Sequence, residues 1–463
     1  MSHLVRDHRT IALQPVFDWS AWNVQNNPVT EETTPPGTGG DPSGGFAKAV
    51  EMCNNNGHCR KFDAGTMCPS YRITRDEQHL TRGRANTLRL ALSGQLEGES
   101  LAGEAVKAAL DLCVSCKGCK RDCPTGVDMA RMKIEATAAY KKRHGHTLRD
   151  RLIGHLPRYA RWASALPWLF NLREQVPALA RWSERALGFA AARSLPRWRR
   201  DTVRREAPRY GLVDAEQALA ADKAVVLWVD TFNGNFETEN ARDAVRVLQA
   251  AGYAVHVPGL QGEALCCGRT WLATGMPERA RASAGALVAA LAPFAARGIA
   301  VVGLEPSCLL SLRDEALVMG LGEAAKTVSS HALTFEEFLA REASAGRFAP
   351  SLSPATKPIK VHGHCHQKAF GVVQPVIEVL KLIPGAKPEL IESSCCGMAG
   401  SFGYEAEHHA ASLQMAELSL LPAVRAAGEA WIVADGASCR HQIADGAQRE
   451  AWHVARVLAA HLG

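Results

Sequence analysis

Four cysteines in one short run constrain this chain more than any other feature: Cys113-Val-Ser-Cys116-Lys-Gly-Cys119-Lys-Arg-Asp-Cys123-Pro124. Three thiolates at C-x2-C-x2-C spacing can wrap one cubane iron–sulfur cluster. The fourth thiolate precedes a proline, which cannot continue a helix, so it points away and ligates a second cluster. Zinc usually takes two C-x2-C pairs separated by a longer loop. The run therefore predicts a domain that holds two [4Fe–4S] clusters.

The second cluster needs further cysteines, and an upstream segment supplies them. Cys53 takes the first place of the same pattern, Cys59 the third, and Cys68, which precedes a proline, the fourth. Asn56 stands at the second place. The usual exchange of the fourth ligand assigns to cluster A the residues Cys113, Cys116, Cys119 and Cys68. It assigns to cluster B the residues Cys53, Cys59 and Cys123. Cluster B is one thiolate short, so it either has three irons, as [3Fe–4S], or takes a ligand such as Asn56 or His58.

Length and composition indicate a multidomain globular protein. The 463 residues are 47% hydrophobic and 22% charged, which suits about two to four domains with buried cores. Charges of both signs are interspersed around a net charge of +6, so we expect no nucleic-acid partner. The 14 cysteines cluster beside Gly, Pro and His, which favours metal ligation over disulfides. Neither a signal peptide at Met1–Phe17 nor a long apolar run is found, so we expect a cytoplasmic protein, with peripheral contact to the inner face of the cytoplasmic membrane left open.

Composition divides the chain into five predicted segments. Residues 1–45 are polar and rich in Pro and Gly, which predicts a linker. Residues 46–148 alternate cysteine loops with helical patterns, which predicts a small helical domain. We expect its helices at Phe46–Met52, Gly83–Leu92, Leu101–Leu112 and Val127–Tyr140. Residues 149–212 form a connector, and residues 213–345 and 346–463 form two α/β units.

The connector is rich in arginine, lacks lysine and carries four tryptophans: Trp162, Trp168, Trp182 and Trp198. Several prolines divide it into short helices. Arginine together with tryptophan suits a membrane interface or an acidic protein partner. We favour the simpler interpretation, in which the tryptophans pack on the protein's own domains and the arginines are solvated.

Short apolar strands alternate with helices from Ala224 onward, and the alternation occurs twice. The predicted strands are Val225–Val229, Ala254–Val257 and Ile299–Val302, followed by Ile359–Val361, Glu389–Ile391 and Trp431–Ala434. The predicted helices are Ala241–Ala251, Pro277–Ala296, Pro375–Leu382 and Glu405–Ala427. This order predicts two mainly parallel sheets covered by helices.

Both α/β units carry cysteines just past the carboxyl ends of their strands, where open α/β sheets place their sites. Adjacent cysteines followed by glycine do not readily form a disulfide with each other but can both contact one metal centre. The second unit offers a complete ligand set: Cys365, Cys395, Cys396 and Cys439. The first unit offers a partial set: Cys266, Cys267 and Cys308. Thr231, which is expected to end the first strand, stands where the matching cysteine would fall. The first unit therefore holds a degenerate or zinc-type site or none, and buried structural cysteines are the alternative in both units.

Three histidines flank Cys365: His362, His364 and His366. Along an extended strand end they would point to one side and Cys365 to the other, so not all of them can ligate one metal. We take His364 as a candidate metal ligand. Beyond Cys396, acidic and imidazole groups in 400–409 either support the metal ligands, relay protons or form the solvated start of a helix.

Five stretches of the chain resemble the iron–sulfur half of FAD-linked oxidases, a family that includes D-lactate and D-2-hydroxyglutarate dehydrogenases. They are CNNNGHCRKFDAGTMCPSYRITRDEQHLTRGRAN, LCVSCKGCKRDCPTGVDMARMKIE, VGLEPSCL, VHGHCHQKA and CCGMAGSFGYEAEH. The chain is similar to the glycolate oxidase iron–sulfur subunit as well, and the resemblance runs from about Phe46 to the C-terminus.

The paired cysteines resemble the cysteine-rich CCG domains found in heterodisulfide reductase and in anaerobic glycerol-3-phosphate dehydrogenase. Such domains can hold a non-cubane [4Fe–4S] cluster or zinc. The full CCG pattern ends in C-x2-C, whereas here Glu305 and Gly436 stand at the first of those two places. The expected fold is an α+β multidomain protein, with a helical two-cluster ferredoxin-like domain followed by two α/β CCG repeats.

The resemblance also implies a function. A flavin domain normally precedes the iron–sulfur part, and 45 residues cannot form one, so we expect FAD on a partner. The chain is then an electron-transfer subunit of a flavin-dependent 2-hydroxy-acid dehydrogenase of the D-lactate, glycolate or 2-hydroxyglutarate type. It would pass electrons from a partner flavoprotein to a quinone or another redox protein, since clusters move single electrons. The alternatives are a heterodisulfide-type thiol–disulfide reductase that uses a CCG cluster, and a zinc-binding assembly protein, against which the Cys113 run argues.

Overall fold

The computed structural model describes residues 13–22, 43–62, 65–96, 100–262 and 264–463. The predicted linker 1–45 lies largely outside these residues, but its described part at 13–22 is packed against the helical domain. The buried carboxylate of Glu135 accepts hydrogen bonds from the Val16 N–H at 2.7 Å, the Phe17 N–H at 2.9 Å and Trp19 Nε1 at 2.8 Å. Segment 13–22 is therefore anchored by a buried polar contact rather than solvated.

The first domain is helical, as the sequence predicts. Its helices are Phe46–Glu51, Pro69–Thr74, Thr81–Leu92, Glu104–Asp111, Gly118–Asp122 and Met129–His144. They pack around apolar side chains that include Phe46, Leu88, Leu110 and Met129, and five of the seven predicted cluster cysteines belong to the same buried group. The short helices and turns between these elements hold the cysteine loops on a rigid base.

The connector consists of short helices: Leu148–Gly154, Leu156–Ala163, Pro167–Phe170, Leu172–Gln175, Pro177–Leu187 and Val203–Glu206. Prolines stand at the first or second residue of three of them, where the missing N–H has no cost, instead of breaking a longer helix. Trp198 packs against Tyr159, Phe170 and Phe236, as expected. The other three tryptophans do not pack: the exposed fractions of Trp162, Trp168 and Trp182 are 69%, 62% and 60%. For these three the favoured interpretation is wrong.

Two four-stranded parallel sheets follow, with matching strand orders. The first contains β1 (Ala224–Trp228), β2 (Ala254–His256), β3 (Val301–Gly303) and β4 (Ala332–Thr334) in the order β2-β1-β3-β4. The second contains β5 (Ile359–Val361), β6 (Pro388–Leu390), β7 (Trp431–Val433) and β8 (Ala451–Trp452) in the order β6-β5-β7-β8. The parallel sheets are confirmed. Strands β4 and β8 escape sequence analysis because they have two or three residues and no apolar run of their own.

Helices cover both sheets. In the first α/β unit they are Ala215–Ala220, Thr231–Asn235, Thr238–Ala250, Arg269–Ala273, Pro277–Ala296, Pro306–Leu312, Gly322–His331 and Phe335–Ser344. In the second they are Cys365–Phe370, Gln374–Leu380, His409–Glu417, Leu420–Arg425, Ala437–Ala447 and Val454–Ala460. The single helix expected over Glu405–Ala427 is two helices that begin later, at His409 and Leu420.

The two α/β units pack against each other through equivalent helices. Helix Thr238–Ala250, which follows β1, contacts Val454–Ala460, and Phe335–Ser344, which follows β4, contacts Gln374–Leu380. One apolar core joins Val225 and Val302 of the first sheet to Val361 and Val433 of the second. This packing of one unit on the other brings the carboxyl ends of both sheets to one side of the molecule, and both cysteine sets lie there. Of the helices described, none is long and apolar enough to cross a membrane.

Candidate metal centres

The four predicted ligands of cluster A line one small buried cavity: Cys68, Cys113, Cys116 and Cys119. Arg84, only 2% exposed, donates a hydrogen bond to Cys68 Sγ at 3.3 Å. The same guanidinium donates to Ala109 O at 2.9 Å and Ser70 Oγ at 2.7 Å. A buried cation among thiols is stable only if negative charge compensates it, which thiolates of a cluster would supply. Sequence analysis missed Arg84 because nothing in its neighbours marks an arginine as buried.

The predicted ligands of cluster B lie in the same helical domain, in or against the same buried group. Cys53 and Cys59 are buried and Cys123 is half-buried. Burial, together with the neighbouring Cys68 and Cys53 thiols, raises the pKa of Cys59 to about 11. The Asn56 side chain is exposed and shapes its own loop, since its Oδ1 accepts the His58 N–H at 2.8 Å. The ligand assignment of both clusters stays a prediction, and Asn56 would have to leave this bond to ligate iron through Oδ1.

In the second α/β unit the four predicted metal ligands meet at the carboxyl edge of the sheet. Cys365 begins the helix after β5, Cys395 and Cys396 lie in the loop after β6, and Cys439 lies in the helix after β7. Cys439 Sγ is 3.5 Å from Cys396 Sγ. Cys395 is within hydrogen-bonding contact of Cys365 and Cys396. The four buried sulfurs therefore form a chain of contacts, Cys365–Cys395–Cys396–Cys439, which fits a thiolate-ligated centre with several metal atoms.

The first α/β unit repeats this arrangement with three sulfurs. Cys266 and Cys267 lie in the loop after β2, and Cys308 lies in the helix after β3. Hydrogen bonds from Cys266 and Cys308 lower the pKa of Cys267, just as bonds from Cys395 and Cys439 lower that of Cys396. Thr231 stands at the fourth place, but it begins a helix capped by Asp230 instead of ending a strand.

The glycine after each cysteine pair serves the same purpose in both units. Its N–H donates to the first sulfur of the pair at 3.4 Å, Gly268 to Cys266 and Gly397 to Cys395. Both glycines have positive φ, 86° and 81°. A Cβ on Gly397 would lie 2.4 Å from the Ser412 carbonyl oxygen, so only glycine fits there.

The histidines are arranged differently from the prediction. Strand β5 ends at Val361, and His364 caps the helix Cys365–Phe370. The alternation of side chains along a strand, which was expected to place the three histidines on one side, therefore does not apply. His364 Nδ1 accepts the His366 N–H at 3.1 Å. His362 is buried with Nδ1 2.8 Å from Ser393 Oγ. His366 lies towards the first domain, with Nε2 3.2 Å from Ser115 O.

The two departures from the CCG pattern have different consequences. The Glu305 carboxylate is engaged: it accepts from Ser307 Oγ at 2.7 Å and from the Ala437 N–H at 2.8 Å, so it caps one helix in each α/β unit. Gly436, in contrast, leaves space for the His364 ring. A Cβ at position 436 would lie 2.3 Å from His364 Cδ2 and 3.3 Å from Cys439 Sγ.

The cluster A loop touches both α/β units. Cys116 packs in one buried group with Cys365 and Cys395, and burial and the charge of Cys365 raise its pKa. Lys117, 2% exposed, pairs with Asp314 at 2.5 Å and Glu315 at 2.7 Å in the first unit. The loop therefore lies between the two units and is held by both. It places Cys116, a predicted cluster A ligand, near Cys365 of the second unit.

A cavity of about 1410 Å³ lies where the first domain, the connector and both α/β units meet. Cysteines from three of these parts line it: Cys113, Cys266, Cys267, Cys308, Cys365, Cys395 and Cys396. Apolar and aromatic side chains of the connector form its opposite wall, among them Leu156, Tyr159, Phe170, Phe189 and Trp198. Asp230 also lines it, and burial together with the neighbouring Glu305 raises the pKa of Asp230 to about 7.

His408 joins the first domain to the second α/β unit beside this cavity. Its ring stacks on Phe402, and its nitrogens contact Glu405 Oε2 at 2.7 Å and Asp111 Oδ2 at 3.1 Å. Burial opposes the imidazolium, but the hydrogen bonds to Asp111 and Glu405 outweigh it and raise the pKa of His408 to about 9. The groups predicted in 400–409 thus form a charged contact between domains.

We expect this contact to make stability pH-dependent. The folded pKa lies above the unfolded value of about 6.5, so the stabilisation is complete below about pH 6.5 and is lost as the pH rises through about 9. The free energy of unfolding should fall by roughly 3 kcal/mol over this range, at about 1.4 kcal/mol for each unit of pKa difference. Anaerobic denaturant titrations at several pH values measure it. The slope should flatten in His408→Gln, and an unchanged slope in that variant would contradict the assignment.

Comparison with known proteins supports the resemblance seen in the sequence. A family model described as a 4Fe-4S dicluster domain matches residues 49–127, which contain all seven predicted cluster cysteines. No solved structure matches. The chain is 28% identical over 432 residues to D-2-hydroxyglutarate dehydrogenase of Escherichia coli (strain K12), covering 84% of this chain and 41% of the relative. The chain thus spans about two fifths of the length of that relative.

Two further relatives have lengths closer to that of this chain. One is a component of the anaerobic glycerol-3-phosphate dehydrogenase of Escherichia coli (strain K12), 27% identical over 322 residues, covering 68% of this chain and 76% of the relative. The other is the "Probable glycolate oxidase iron-sulfur subunit" of Bacillus subtilis (strain 168), 25% identical over 419 residues, covering 85% and 89%. The predicted resemblance to the iron–sulfur part of these oxidoreductases is confirmed, and so is a 4Fe–4S domain at 49–127.

Proposed function

We propose that this chain is the iron–sulfur electron-transfer component of a flavin-dependent dehydrogenase for a 2-hydroxy acid of the D-lactate, glycolate or 2-hydroxyglutarate type. A partner flavoprotein, which carries the FAD, oxidises the substrate and passes electrons one at a time to this chain. The names of the relatives support the substrate class. The observation that carries the proposal is that Cys116 of the first domain and Cys365 of the second α/β unit lie in one buried group.

The closeness of these two cysteines supports a proposed route between the centres. In this proposal cluster B receives electrons, cluster A follows, and the sulfur centre of the second α/β unit comes last, beside the cavity. We propose [4Fe–4S] for cluster A and [4Fe–4S] or [3Fe–4S] for cluster B. A further iron–sulfur or zinc centre is proposed at Cys365, Cys395, Cys396 and Cys439. The first unit, with Thr231 at the fourth place, is proposed to hold a degenerate site or none.

The cavity is the proposed site of the acceptor. Its aromatic and apolar wall suits a lipophilic ring better than a protein surface, so a quinone is favoured over a redox protein. Quinone reduction takes two electrons and two protons, and Asp230, with a pKa of about 7, can hold and deliver a proton at the cavity wall.

Reconstitution with the flavoprotein tests this proposal. The absorbance of the oxidised clusters should bleach only when the flavoprotein and a 2-hydroxy acid are both present. A flavoprotein that reduces its natural acceptor at full rate without this chain would defeat the proposal.

We also propose that this cytoplasmic protein touches the inner face of the membrane through its connector. Trp162, Trp168 and Trp182 are exposed there, and Phe170, 45% exposed, also lines the cavity. Arg161, Arg181 and Arg185 are exposed beside them and, in the part of the chain that the structure describes, have no carboxylate partner. Tryptophan and unpaired arginine suit an anionic lipid surface.

Vesicle flotation measures this contact. The protein should float with anionic vesicles, less with zwitterionic ones and less at high salt. Replacing Trp162, Trp168 and Trp182 by serine should weaken binding at least about tenfold, because a tenfold change corresponds to about 1.4 kcal/mol, less than the burial of one aromatic side chain. The same change at Leu317, Leu390 and Leu418, exposed elsewhere, is the matched control and should leave binding intact. Equal losses of vesicle binding in both triple variants would contradict the proposal that the connector contacts the membrane.

The second candidate function is thiol–disulfide reduction at the centre of the second α/β unit. Cys395 and Cys396 line the cavity, so a disulfide substrate can reach them. Glu305 and Gly436, which replace cysteines of the CCG pattern, weigh against it. Reduction of a disulfide substrate by the chemically reduced chain, abolished in Cys395→Ala, would favour this function over the first.

A further inference from the structure

We infer that His362 ligates the proposed metal centre of Cys365, Cys395, Cys396 and Cys439 through its Nε2 atom. The inference rests on the proposed function in one respect, the presence of a metal centre at these cysteines. The ligand is then His362 and not His364, which was the candidate taken from the sequence.

The surroundings of His362 leave one nitrogen free for a metal. The residue follows β5 and is 1% exposed. Its Nε2 atom is buried and has no hydrogen-bond partner among the described residues, while the ring interacts with the Cys396 thiol. An unsatisfied buried polar atom is costly unless something absent from the protein chain satisfies it. A metal at the adjacent thiols would do so.

Hydrogen bonds on the other side of the ring select the required tautomer. Nδ1 lies 2.8 Å from Ser393 Oγ. The Ser393 hydroxyl donates to Ile391 O at 3.3 Å, so its oxygen accepts the proton of Nδ1. The neutral ring then carries its lone pair on Nε2, the nitrogen that is left to interact with Cys396. Metal-ligating histidines commonly donate their other N–H to an oxygen in this way.

His364 has the opposite arrangement. Its Nδ1 accepts the His366 N–H at 3.1 Å, so the neutral ring carries its proton on Nε2. That N–H points into the space left by Gly436, where a Cβ would lie 3.1 Å from His364 Nε2 and 3.3 Å from Cys439 Sγ. His364 therefore fills the volume of the missing cysteine and offers an N–H to a thiolate rather than a lone pair to a metal.

His366 also has a buried nitrogen, Nδ1, without a hydrogen-bond partner among the described residues. Its Nε2 contacts Ser115 O at 3.2 Å and Arg269 at 3.1 Å, so the ring links the cluster A loop to both α/β units. The charged groups around this ring are Arg269 and Lys117, whereas the ring of His362 interacts with the Cys396 thiol. That interaction is what favours His362 over His366 as the ligand.

The donor set also bears on the metal. Four thiolates and one imidazole are five donors, whereas structural zinc takes four. The set therefore favours an iron–sulfur core over a single zinc ion. A neutral imidazole as the fifth donor adds no negative charge, unlike a fifth thiolate, and histidine-ligated clusters have higher reduction potentials than all-cysteine ones.

Pulsed EPR on the anaerobically purified full chain, labelled with ¹⁵N-histidine, tests the inference together with iron and zinc analysis. The signal of this centre is the one lost in Cys396→Ala. We expect a histidine nitrogen coupling on that signal in the wild type, its retention in His364→Gln and its loss in His362→Gln. Coupling that persists in His362→Gln overturns the inference and leaves the proposed centre standing. A wild-type chain that holds only the irons of clusters A and B, and no zinc, overturns both.

Discussion

A Cys116→Ala variant is expected to lose about four irons per chain and to stop electron delivery from the flavoprotein to the acceptor. The physical reason is that Cys116 is a predicted ligand of cluster A, and a cubane cluster has four irons. Cys116 also lies beside Cys365, so its loss interrupts the proposed route at the point where the two centres meet. Iron and sulfide analysis gives the first result, and acceptor reduction with 2-hydroxy acid and flavoprotein gives the second.

The matched control for this variant is Cys308→Ala. Cys308 is equally buried, but its unit has Thr231 at the fourth ligand place. Iron content and electron delivery should stay near wild type. If Cys308→Ala loses as much iron as Cys116→Ala, the first unit holds a cluster and the proposed route is incomplete. If Cys116→Ala keeps its iron, the assignment of cluster A is wrong.

Replacing Lys117 by methionine is expected to lower the free energy of unfolding by about 3–5 kcal/mol, the usual cost of removing one partner of a buried ion pair. Lys117, Asp314 and Glu315 are each 2% exposed. Burial opposes the charged lysine, but the carboxylates outweigh it and raise the pKa of Lys117. Without the lysine, the nearest cation to Glu315 is Arg269, at 3.8 Å. Denaturant unfolding under anaerobic conditions, with iron content followed in parallel, measures the effect.

Lys120 provides the control for this second variant. It also binds Asp314, at 2.9 Å, but its side chain is 34% exposed. Asp314 would keep Lys117 and Arg131 as partners, and water solvates much of the Lys120 charge already, so Lys120→Met should cost about 1 kcal/mol or less. Equal losses in the two variants would mean that burial of the Lys117 pair does not matter.

The cysteine sets could be recognised from the chain because each set is a local pattern. The C-x2-C-x2-C-x3-C-P run at Cys113 and the two Cys-Cys-Gly triplets place sulfur next to turns that glycine or proline require. The strands near Ala224 and Ile359 were equally visible, since a buried parallel strand is a short apolar run. Strand β8, with the two residues Ala451 and Trp452, carries no such run.

Roles that depend on contacts distant in sequence could not be predicted. In the sequence, Arg84 and Lys117 look like ordinary surface charges. Their burial becomes evident only from their partners, which are distant in the chain. On a strand extended past Val361, His362, His364 and His366 would share one side, so the alternation does not distinguish between them. The helix that begins at Cys365 makes His364 a cap and leaves His362 with a free nitrogen.

By itself the sequence determined the kinds of chemistry in this protein: thiolate clusters at the N-terminal domain, two similar cysteine sets after parallel strands, and an arginine- and tryptophan-rich connector. Ligand type and spacing are local properties, so a linear chain displays them. The tertiary structure alone decided that Cys116 meets Cys365, that three tryptophans face solvent, and that the cysteine sets share a cavity. The packing of distant elements sets the burial and the hydrogen-bond partners of these side chains, because both depend on which groups exclude water from one another.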